Sequence, residues 1–481
     1  VPGLLINTIF STVLCTILGI AGQTLTSYSA CAASPDFATL PGVIDRRMRQ
    51  LHDAESLRPA GVCDDATFLR RLTLDLAGRI PTLPEQQQFT ADNHRGRAID
   101  RLLASDDHHQ FWGDLWNCLL IGDNDQNNVQ GDLLRRWMQQ QVAANRRLDH
   151  MVFDLLTASG TTSLDPPTNF MVANRDGPVL RIGRAFLSTQ LDCAQCHDHP
   201  SQRWTNDDFN GMKRFFDVVR YRDVSGGIRV SDAPGQHGNN GPPQFLTGQS
   251  PQSPAWRKEL ALMVIRCKPF ARSMAGRTWH WLCAQPLVAP VDGITKNAND
   301  PGYQLLDELA ATLRNGSFDQ RALIAAICNS ATYQRDVSLS HASDANAVSP
   351  ADATTIQRHR AGFAVRTPRM MTPAQWLRSV AVILDRQELI GSDAHARRVR
   401  ALRGEAPASL GNDPFSWQST SQSILIQLSG ETTDPLADIT KLYQRMLSRP
   451  PTAEELAMGN AMPSSQLLFV LMHSNEFHTN R

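Results

Sequence analysis

The sequence lacks a net charge. Its 481 residues include 47 lysines and arginines and 47 aspartates and glutamates, so the two signs cancel at pH 7. A chain without an excess of basic side chains has no general electrostatic attraction for nucleic acid or anionic lipid. With 41% hydrophobic and 20% charged residues, its composition is that of an ordinary folded protein. This balance excludes a multi-span membrane protein and a largely disordered chain, and we expect no nucleic-acid partner.

The sequence also lacks the motifs of several enzyme classes. It contains no G-x-x-x-x-G-K-[ST] phosphate loop, no G-x-S-x-G nucleophile elbow and no H-E-x-x-H zinc motif. A second C-x-x-C pair, which would complete a four-ligand zinc site, is missing as well. Nine cysteines in a chain of this length exclude a disulfide-dense scaffold but are compatible with one or two bridges. These absences leave open whether the protein is an enzyme.

The first 35 residues contain no charged side chain. Residues 4–21 are apolar with a few polar interruptions, and small residues follow at 29–33 in an A-x-A-like pattern. This arrangement is typical of a secretory signal peptide, which we place at residues 1–33. About 18 apolar residues can also span a bilayer, so an uncleaved anchor is the alternative. Both interpretations predict a secreted, periplasmic or cell-envelope protein that meets the membrane only through this segment.

Strand patterns are scarce, and helical periodicity dominates the rest of the chain. Apolar residues recur at the i, i+3, i+4, i+7 spacing of an amphipathic helix, as at Trp112, Leu115, Trp116 and Leu119. Helix-capping boxes, in which Ser or Thr is followed three residues later by an acid or Gln, precede several such runs. These boxes begin at Thr82, Thr205, Ser317, Thr372 and Thr452. We therefore predict a mainly α protein.

One long stretch, residues 222–256, interrupts the helical pattern. It is rich in Gly, Pro, Ser, Asn and Gln, which favour turns and loops over helices. We predict a linker or long loop there, with at most a minor hairpin around Ile228 and Val230. This segment would join two helical domains, residues 45–221 and 257–481.

One local pattern occurs twice in the sequence. Residues 72–85 and 442–455 share apolar, Arg, Pro, Thr and Glu positions at a constant offset of 370 residues. Each copy predicts the end of a helix, a turn containing Pro and the capped start of a second helix. Two copies do not make a repeat array, so we interpret the pattern as structural.

Cys193, Cys196 and His197 form the pattern C-x-x-C-H, the attachment motif of c-type haem. Two thiols at this spacing on a turn can reach both vinyl groups of one porphyrin, and the adjacent imidazole can bind the iron as its proximal ligand. We therefore predict one covalent haem c with His197 on the iron. The alternatives are another metal site, drawing on these residues and His199, and a disulfide or redox dithiol.

Three further residues are candidates for the surroundings of that haem. His199 is too close in sequence to reach the opposite face easily; it would contact a propionate or the proximal side, or else cap the turn before Pro200. Met212 and Met171 are candidate distal ligands, although core packing is the simpler explanation for both. A Met opposite His197 would favour electron transfer, whereas an empty position would permit ligand or peroxide chemistry.

The order of these motifs resembles that of large secreted planctomycete proteins with a cytochrome-like domain (the PSCyt type) followed by a second domain of unknown function (the PSD type). The first half is similar at residues 68–82, 98–105, 193–200 and 207–209, and the second at 269–279, 287–292, 330–334, 442–452 and 475–477. The resemblance implies a secreted, mostly helical protein with one haem c site, and it supplies no reaction. The chain departs from the family pattern at residues 201–202 and 301–303.

The motif and the resemblance together predict a monohaem c-type, cytochrome-like envelope protein. It would transfer electrons to a redox partner protein that the sequence does not identify. The alternative is a non-redox secreted binding or scaffold module, connected with complex carbohydrate handling. In that interpretation the cysteine pair is a disulfide or a metal clip.

Overall fold

The computed structural model describes residues 36–122, 130–235, 241–294, 300–339, 353–385, 438–462 and 464–480. These residues form 21 helices and five short strands, which confirms the prediction of a mainly α protein. The predicted signal peptide or anchor, residues 1–33, lies outside them. Among the helices of the described ranges, none is both long and apolar enough to cross a membrane.

Nine of the described helices precede the C-x-x-C-H motif. In chain order they are α1 (Leu40–Ala54), α2 (Asp65–Leu76), α3 (Leu83–Asp92), α4 (Arg95–Leu103), α5 (Asp106–Ile121), α6 (Gly131–Ala143), α7 (Leu148–Thr157), α8 (Thr168–Ala173) and α9 (Pro178–Leu187). The motif opens on a 3₁₀ turn, Cys193–Gln195, and α10 (Asn206–Arg214) follows it.

The described helices after α10 belong to the second half of the chain. They are α11 (Trp256–Arg266), α12 (Lys268–Cys283), α13 (Pro301–Asn315), α14 (Gln320–Cys328), α15 (Ala331–Gln334), α16 (Ala353–Ala361), α17 (Pro373–Ile383), α18 (Ile439–Leu447), α19 (Ala453–Asn460), α20 (Ser464–Met472) and α21 (Asn475–His478).

The stretch predicted as a linker is partly ordered structure. Strands β2 (Val219–Val224) and β3 (Gly227–Asp232) form an antiparallel hairpin at the predicted place, and β1 (Gly160–Thr161) pairs with the other edge of β3. Phe245 and Trp256, further along this stretch, are buried in the main core. The remaining strands, β4 (Arg369–Met370) and β5 (Thr479–Asn480), pair with each other.

Two hydrophobic cores hold the described helices together. The main core contains buried side chains from Leu40 to Phe363, so residues of both predicted domains, 45–221 and 257–481, contribute to it. The second core is built mostly from residues between Met371 and Phe477. Leu74 and Ile80, from the first half, also lie in this second core. The two halves of the sequence are therefore packed into one another at both cores.

A buried carboxylate joins the two cores. Asp75 accepts hydrogen bonds from Tyr333 Oη (2.8 Å), Arg366 Nη2 (3.1 Å) and Asn480 Nδ2 (2.7 Å), and it forms a close ion pair with Arg369. Burial lowers the pKa of Arg366, but Asp75 together with the neighbouring Cys283, Tyr333 and Cys328 raises it by more, so the guanidinium stays protonated. A buried charge is tolerated only when it is paired and hydrogen-bonded, as here. The junction therefore ties α2 to the last strand of the chain.

The repeated sequence pattern forms the same local structure twice, which confirms the predicted helix, turn and capped helix. In the first copy, Arg79 donates to both oxygens of Glu85 (2.8 and 2.9 Å), to the Ile80 carbonyl (3.0 Å) and to Asp107 (2.8 Å). Thr82 caps α3 in a box with the same Glu85. We call residues 65–107 the first clamp unit.

The second copy reproduces this set of contacts. Arg449 donates to both oxygens of Glu455 (2.8 Å each), to the Pro450 carbonyl (3.1 Å) and to Glu476 (2.8 Å), and Thr452 caps α19. Glu476 corresponds to Asp107 at an offset of 369, one less than in the turn, so the likeness extends beyond the stretch with the constant offset. We call residues 439–476 the second clamp unit.

Four of the five predicted capping boxes are confirmed, and one is wrong. Thr82, Thr205, Thr372 and Thr452 each cap a helix as expected. At the fifth place Ser317 has a left-handed backbone (φ 56°), and Asp319 caps α14 instead by accepting from the Ala322 N–H (2.9 Å). The carboxylate nearer to the helix start satisfies the same free N–H groups, so the serine is not needed.

Candidate functional site

The C-x-x-C-H motif lies on the loop between α9 and α10. Helix α9 ends where Ser188 takes up a left-handed backbone, and the Thr189 N–H bonds back to the Gly183 carbonyl (2.9 Å). A Cβ at Gly183 would stand 2.8 Å from the Thr189 oxygen, so this sharp exit requires a glycine. The chain leaves the buried helix here and reaches the surface at the motif.

The motif turn presents its three functional side chains to solvent. Cys193 and Cys196 are exposed and form no disulfide, and His197 is exposed beside them. Ala194, between the two cysteines, is fully buried and anchors the turn against the protein. The backbone N–H groups of Cys196 and His197 both bond to the Cys193 carbonyl at 3.3 Å. The structure therefore brings the three predicted ligands together on one compact turn.

The imidazole of His197 is oriented by its own backbone neighbour. Its Nδ1 lies 2.8 Å from the carbonyl oxygen of Asp198. A carbonyl oxygen can only accept a hydrogen bond, so Nδ1 carries the proton and donates it. In the neutral ring, Nε2 then keeps its lone pair. Ligating histidines in metal sites commonly have this arrangement, in which the second ring nitrogen donates to a carbonyl or carboxylate.

His199 and Asp198 shape the turn that follows. The Nδ1 atom of His199 accepts from the backbone N–H groups of Ser201 (3.2 Å) and Gln202 (3.0 Å). The carboxylate of Asp198 accepts from the Asn206 N–H (2.9 Å) at the start of α10. The contacts of His199 are those of a residue that caps the turn at Pro200, whereas Asp198 connects the motif to the start of α10.

Asn206 holds the motif turn against α10, a role that the sequence did not reveal. Its Nδ2 donates to the carbonyls of Ala194 and Gln195 (2.9 Å each), the two residues between the cysteines. Its own Oδ1 accepts from Asn210 one turn further along the helix (2.7 Å). The Thr205–Asp208 capping box fixes the start of that helix. The sequence signal was limited to this box, since an Asn at a helix start is normally no more than a polar surface residue.

Met171 and Met212 lie in the main core. Met212 is completely buried and Met171 is 1% exposed, and both pack among apolar side chains of that core. The three motif residues, by contrast, are at the surface. Neither methionine shares the solvent-exposed setting of His197.

The other described cysteines are also free thiols. Cys63, Cys118, Cys267, Cys283 and Cys328 form no bridge, and burial raises the pKa of Cys283 to about 12. A thiol with so high a pKa is a structural residue and not a nucleophile. In the part of the chain that the structure describes, no group of three or more His, Cys, Asp or Glu side chains is placed to hold a metal ion.

Two family models match the chain in sequence. Residues 43–221 match PSCyt2, described as a protein of unknown function (DUF1549), and residues 257–361 match PSD1, described as a protein of unknown function (DUF1553). Their order agrees with the order of the motifs along the chain. No curated protein and no solved structure matches it. The motif turn falls within the first matched segment, and the two descriptions mention no cofactor or reaction.

Proposed function

We propose a function from the chain's own residues, because its two family segments, PSCyt2 followed by PSD1, are both of unknown function. The protein carries one c-type haem, covalently attached at Cys193 and Cys196, and transfers one electron at a time. His197 is the proximal iron ligand. The attached iron would supply a reversible one-electron couple, and the chain would supply its anchorage and its proximal base.

The hydrogen bond from His197 Nδ1 to the Asp198 carbonyl supports this proposal most directly. It selects the tautomer whose Nε2 can bind iron, and it restrains the ring before any metal is present. Asn206 restrains the other end of the same turn by holding the carbonyls between the two cysteines. Both contacts fix the shape of the turn that carries the three proposed ligands.

The setting of the two thiols also fits covalent attachment. Both are exposed and unbridged, so each can add across one vinyl group of a porphyrin without rearrangement of the core. A metal ion held by protein side chains alone would require further ligands near the pair, and the described residues offer no such group. The surroundings of the turn therefore favour a porphyrin over the metal-clip alternative.

The proposal places the protein outside the cytoplasm, because c-type haem is attached there and because residues 1–33 resemble a secretory signal. Met171 and Met212 are buried in the main core, so neither is placed to fill the sixth coordination position. A small external ligand should then reach the iron. We expect carbon monoxide to shift the spectrum of the reduced protein, and an unchanged spectrum would indicate that a side chain occupies the sixth position.

The decisive experiment is a pyridine haemochrome spectrum of the full chain, made in a periplasm with haem c maturation. After extraction with acidified acetone, we expect a c-type spectrum that stays with the protein. The double variant Cys193→Ala, Cys196→Ala should carry no covalent haem, whereas Cys118→Ala, outside the motif, should keep it. His197→Ala should lose the proximal ligand and change the spectrum.

A colourless product from a host that matures a control cytochrome would overturn the proposal. Full haem incorporation in the double cysteine variant would overturn the assignment of the site. In the first case a thiol titration would test the remaining interpretation, in which Cys193 and Cys196 form a reversible disulfide that closes the turn.

A further inference from the structure

A cavity of about 420 Å³ opens beside the motif loop, between elements of the two family segments. It is bordered on one side by the end of α9 and residues 201–204, and on the other by Cys267, Pro269, Arg272, residues 293–294 and Tyr303. We call it the Trp204 cavity. Cavities of roughly 300–1,000 Å³ are the usual size of small-molecule sites in proteins. None of the three motif residues lines it, so it is distinct from the proposed haem attachment.

The walls of the Trp204 cavity are mostly apolar and include three aromatic rings. Leu187, Phe245 and Tyr303 line it and are each at most 3% exposed, and the half-buried indole of Trp204 completes the wall. Burial raises the pKa of Cys267, another lining residue, to about 11. Flat apolar molecules gain most from such a surface, because aromatic rings stack on one another as well as excluding water.

A buried hydroxyl without a partner lines the same cavity. Ser188 is 2% exposed, and its Oγ has no hydrogen-bond partner among the described residues. Its backbone is left-handed (φ 45°), an unfavourable conformation for a residue with a side chain. Leaving a buried hydroxyl unpaired costs free energy, and a ligand that supplies a partner recovers that cost.

The charge at the cavity is positive. No residue among those described as lining it is acidic, and two are arginines. Arg272 stacks on Tyr303 (5.0 Å) and is neutralised by an ion pair with Asp307. Arg203 stacks on Trp204 (4.3 Å), and the described residues provide no carboxylate for it. Cys267 and Pro269, at the start of helix α12, also line the cavity.

We propose that the Trp204 cavity binds a small aromatic carboxylate. The rings of Trp204, Phe245 and Tyr303 would enclose its apolar body, while Arg203 would pair with its carboxylate and Ser188 would hydrogen-bond to it. This site does not depend on the proposed haem, so either proposal can fail without the other.

The test is isothermal titration calorimetry of the full chain with two matched probes, 2-naphthoate and 2-naphthamide. They share one ring system and differ in charge. We expect naphthoate to bind at least about tenfold more tightly than naphthamide, the usual advantage of a charge-assisted hydrogen bond. Arg203→Gln should weaken naphthoate by about tenfold and leave naphthamide within about twofold. Arg222→Gln, which removes an exposed arginine from strand β2, should change neither.

Two more variants test the location. Thr247→Trp, at an exposed lining position, should block both probes. Cys193→Ala, Cys196→Ala should bind both normally. Equal affinity for the two probes, no binding of either, or binding that survives Thr247→Trp would overturn the proposal. Loss of binding in the double cysteine variant would also overturn it, because binding in the cavity would then depend on the motif residues. Circular dichroism checks that each variant is folded.

Discussion

The first and second clamp units make the same arginine contacts at different depths in the molecule. Arg79 and Arg449 each hold two carboxylates and the carbonyl of the next residue, with distances that agree closely. The side chain of Arg79 is 6% exposed, whereas that of Arg449 is 31% exposed. The local sequence therefore specifies the geometry of the clamp. Its contribution to stability depends on the elements that bury it, and these come from elsewhere in the chain.

Removing the buried arginine should have the largest effect on stability. Arg79→Met leaves Glu85 and Asp107 partly buried without their cation, and we expect a loss of about 4 kcal/mol in stability. Arg449→Met removes the same contacts from a half-exposed site and should cost about 1 kcal/mol. Hydrogen exchange resolved by peptide measures the two units separately, because the opening of α3 and of α19 is reported by different peptides.

Equal losses of stability in Arg79→Met and Arg449→Met would contradict this expectation, because burial by the rest of the protein would then add nothing to the contribution of the arginine. Arg101→Met is a suitable control. This arginine of the first clamp unit is also 31% exposed, and among the described residues its one ion pair is the long contact with Asp92 at 3.5 Å. It should change the exchange of α3 by no more than about 0.5 kcal/mol.

The turn of the first clamp unit should tolerate no side chain at Gly78. This glycine has a left-handed backbone (φ 69°), and an added Cβ would lie 2.3 Å from the ring of Phe111. The left-handed strain and the displacement of a buried ring together predict a loss of about 3 kcal/mol for Gly78→Ala. Urea denaturation followed by circular dichroism gives the change. If Phe111→Leu restores part of the loss, the clash is its source; a loss that Phe111→Leu does not alter would assign the whole effect to the backbone.

Much of this architecture follows from short-range sequence signals. Helix starts were predictable where Thr and an acid or Gln stand three residues apart, because the cap is satisfied within one turn. The prediction failed at Ser317, where Asp319 is the closer cap, and it did not include the partner acids Asp107 and Glu476, which lie outside the stretch with the constant offset. His108 stands beside two aspartates in the sequence, which would suit an exposed helix start, yet it is 1% exposed, because α5 turns that face toward α2.

The candidate site was predictable only in part. The three motif residues were identified from their spacing, since the chemistry of attachment depends on residues that are close in sequence. The part played by Asn206 depends on how α10 packs against the motif turn, and the Trp204 cavity depends on residues from 187 to 303 meeting in space. Such contacts leave no periodic or local signal in one sequence.

The second clamp unit should lose stability in acid. The hydrogen bonds from Arg449 lower the pKa of Glu455 to about 2, below the ordinary value of roughly 4.3. The pKa of Glu455 is lower in the folded protein than in the unfolded chain. Its contribution to stability is therefore complete above the ordinary value and is lost as the pH falls toward 2. We expect the difference in thermal midpoint between wild type and Glu455→Gln to shrink over this range. Glu454→Gln, at the exposed neighbour, should show no such trend, and a difference that stays constant with pH would contradict the prediction.

The smallest expected effect is a gain in stability. Ser448 occupies the place of Gly78 in the second clamp unit with nearly the same backbone (φ 61°), and its Oγ has no partner among the described residues. Ser448→Gly relieves the left-handed strain but makes the unfolded chain more flexible, so we expect a net stabilisation of about 0.5 kcal/mol. Ser448→Ala keeps the Cβ and should be nearly neutral, although Gly78→Ala is costly at the matching position. A clear loss in Ser448→Ala, read from hydrogen exchange in α19, would show that the hydroxyl supports the turn and that the two positions differ in more than the ring of Phe111.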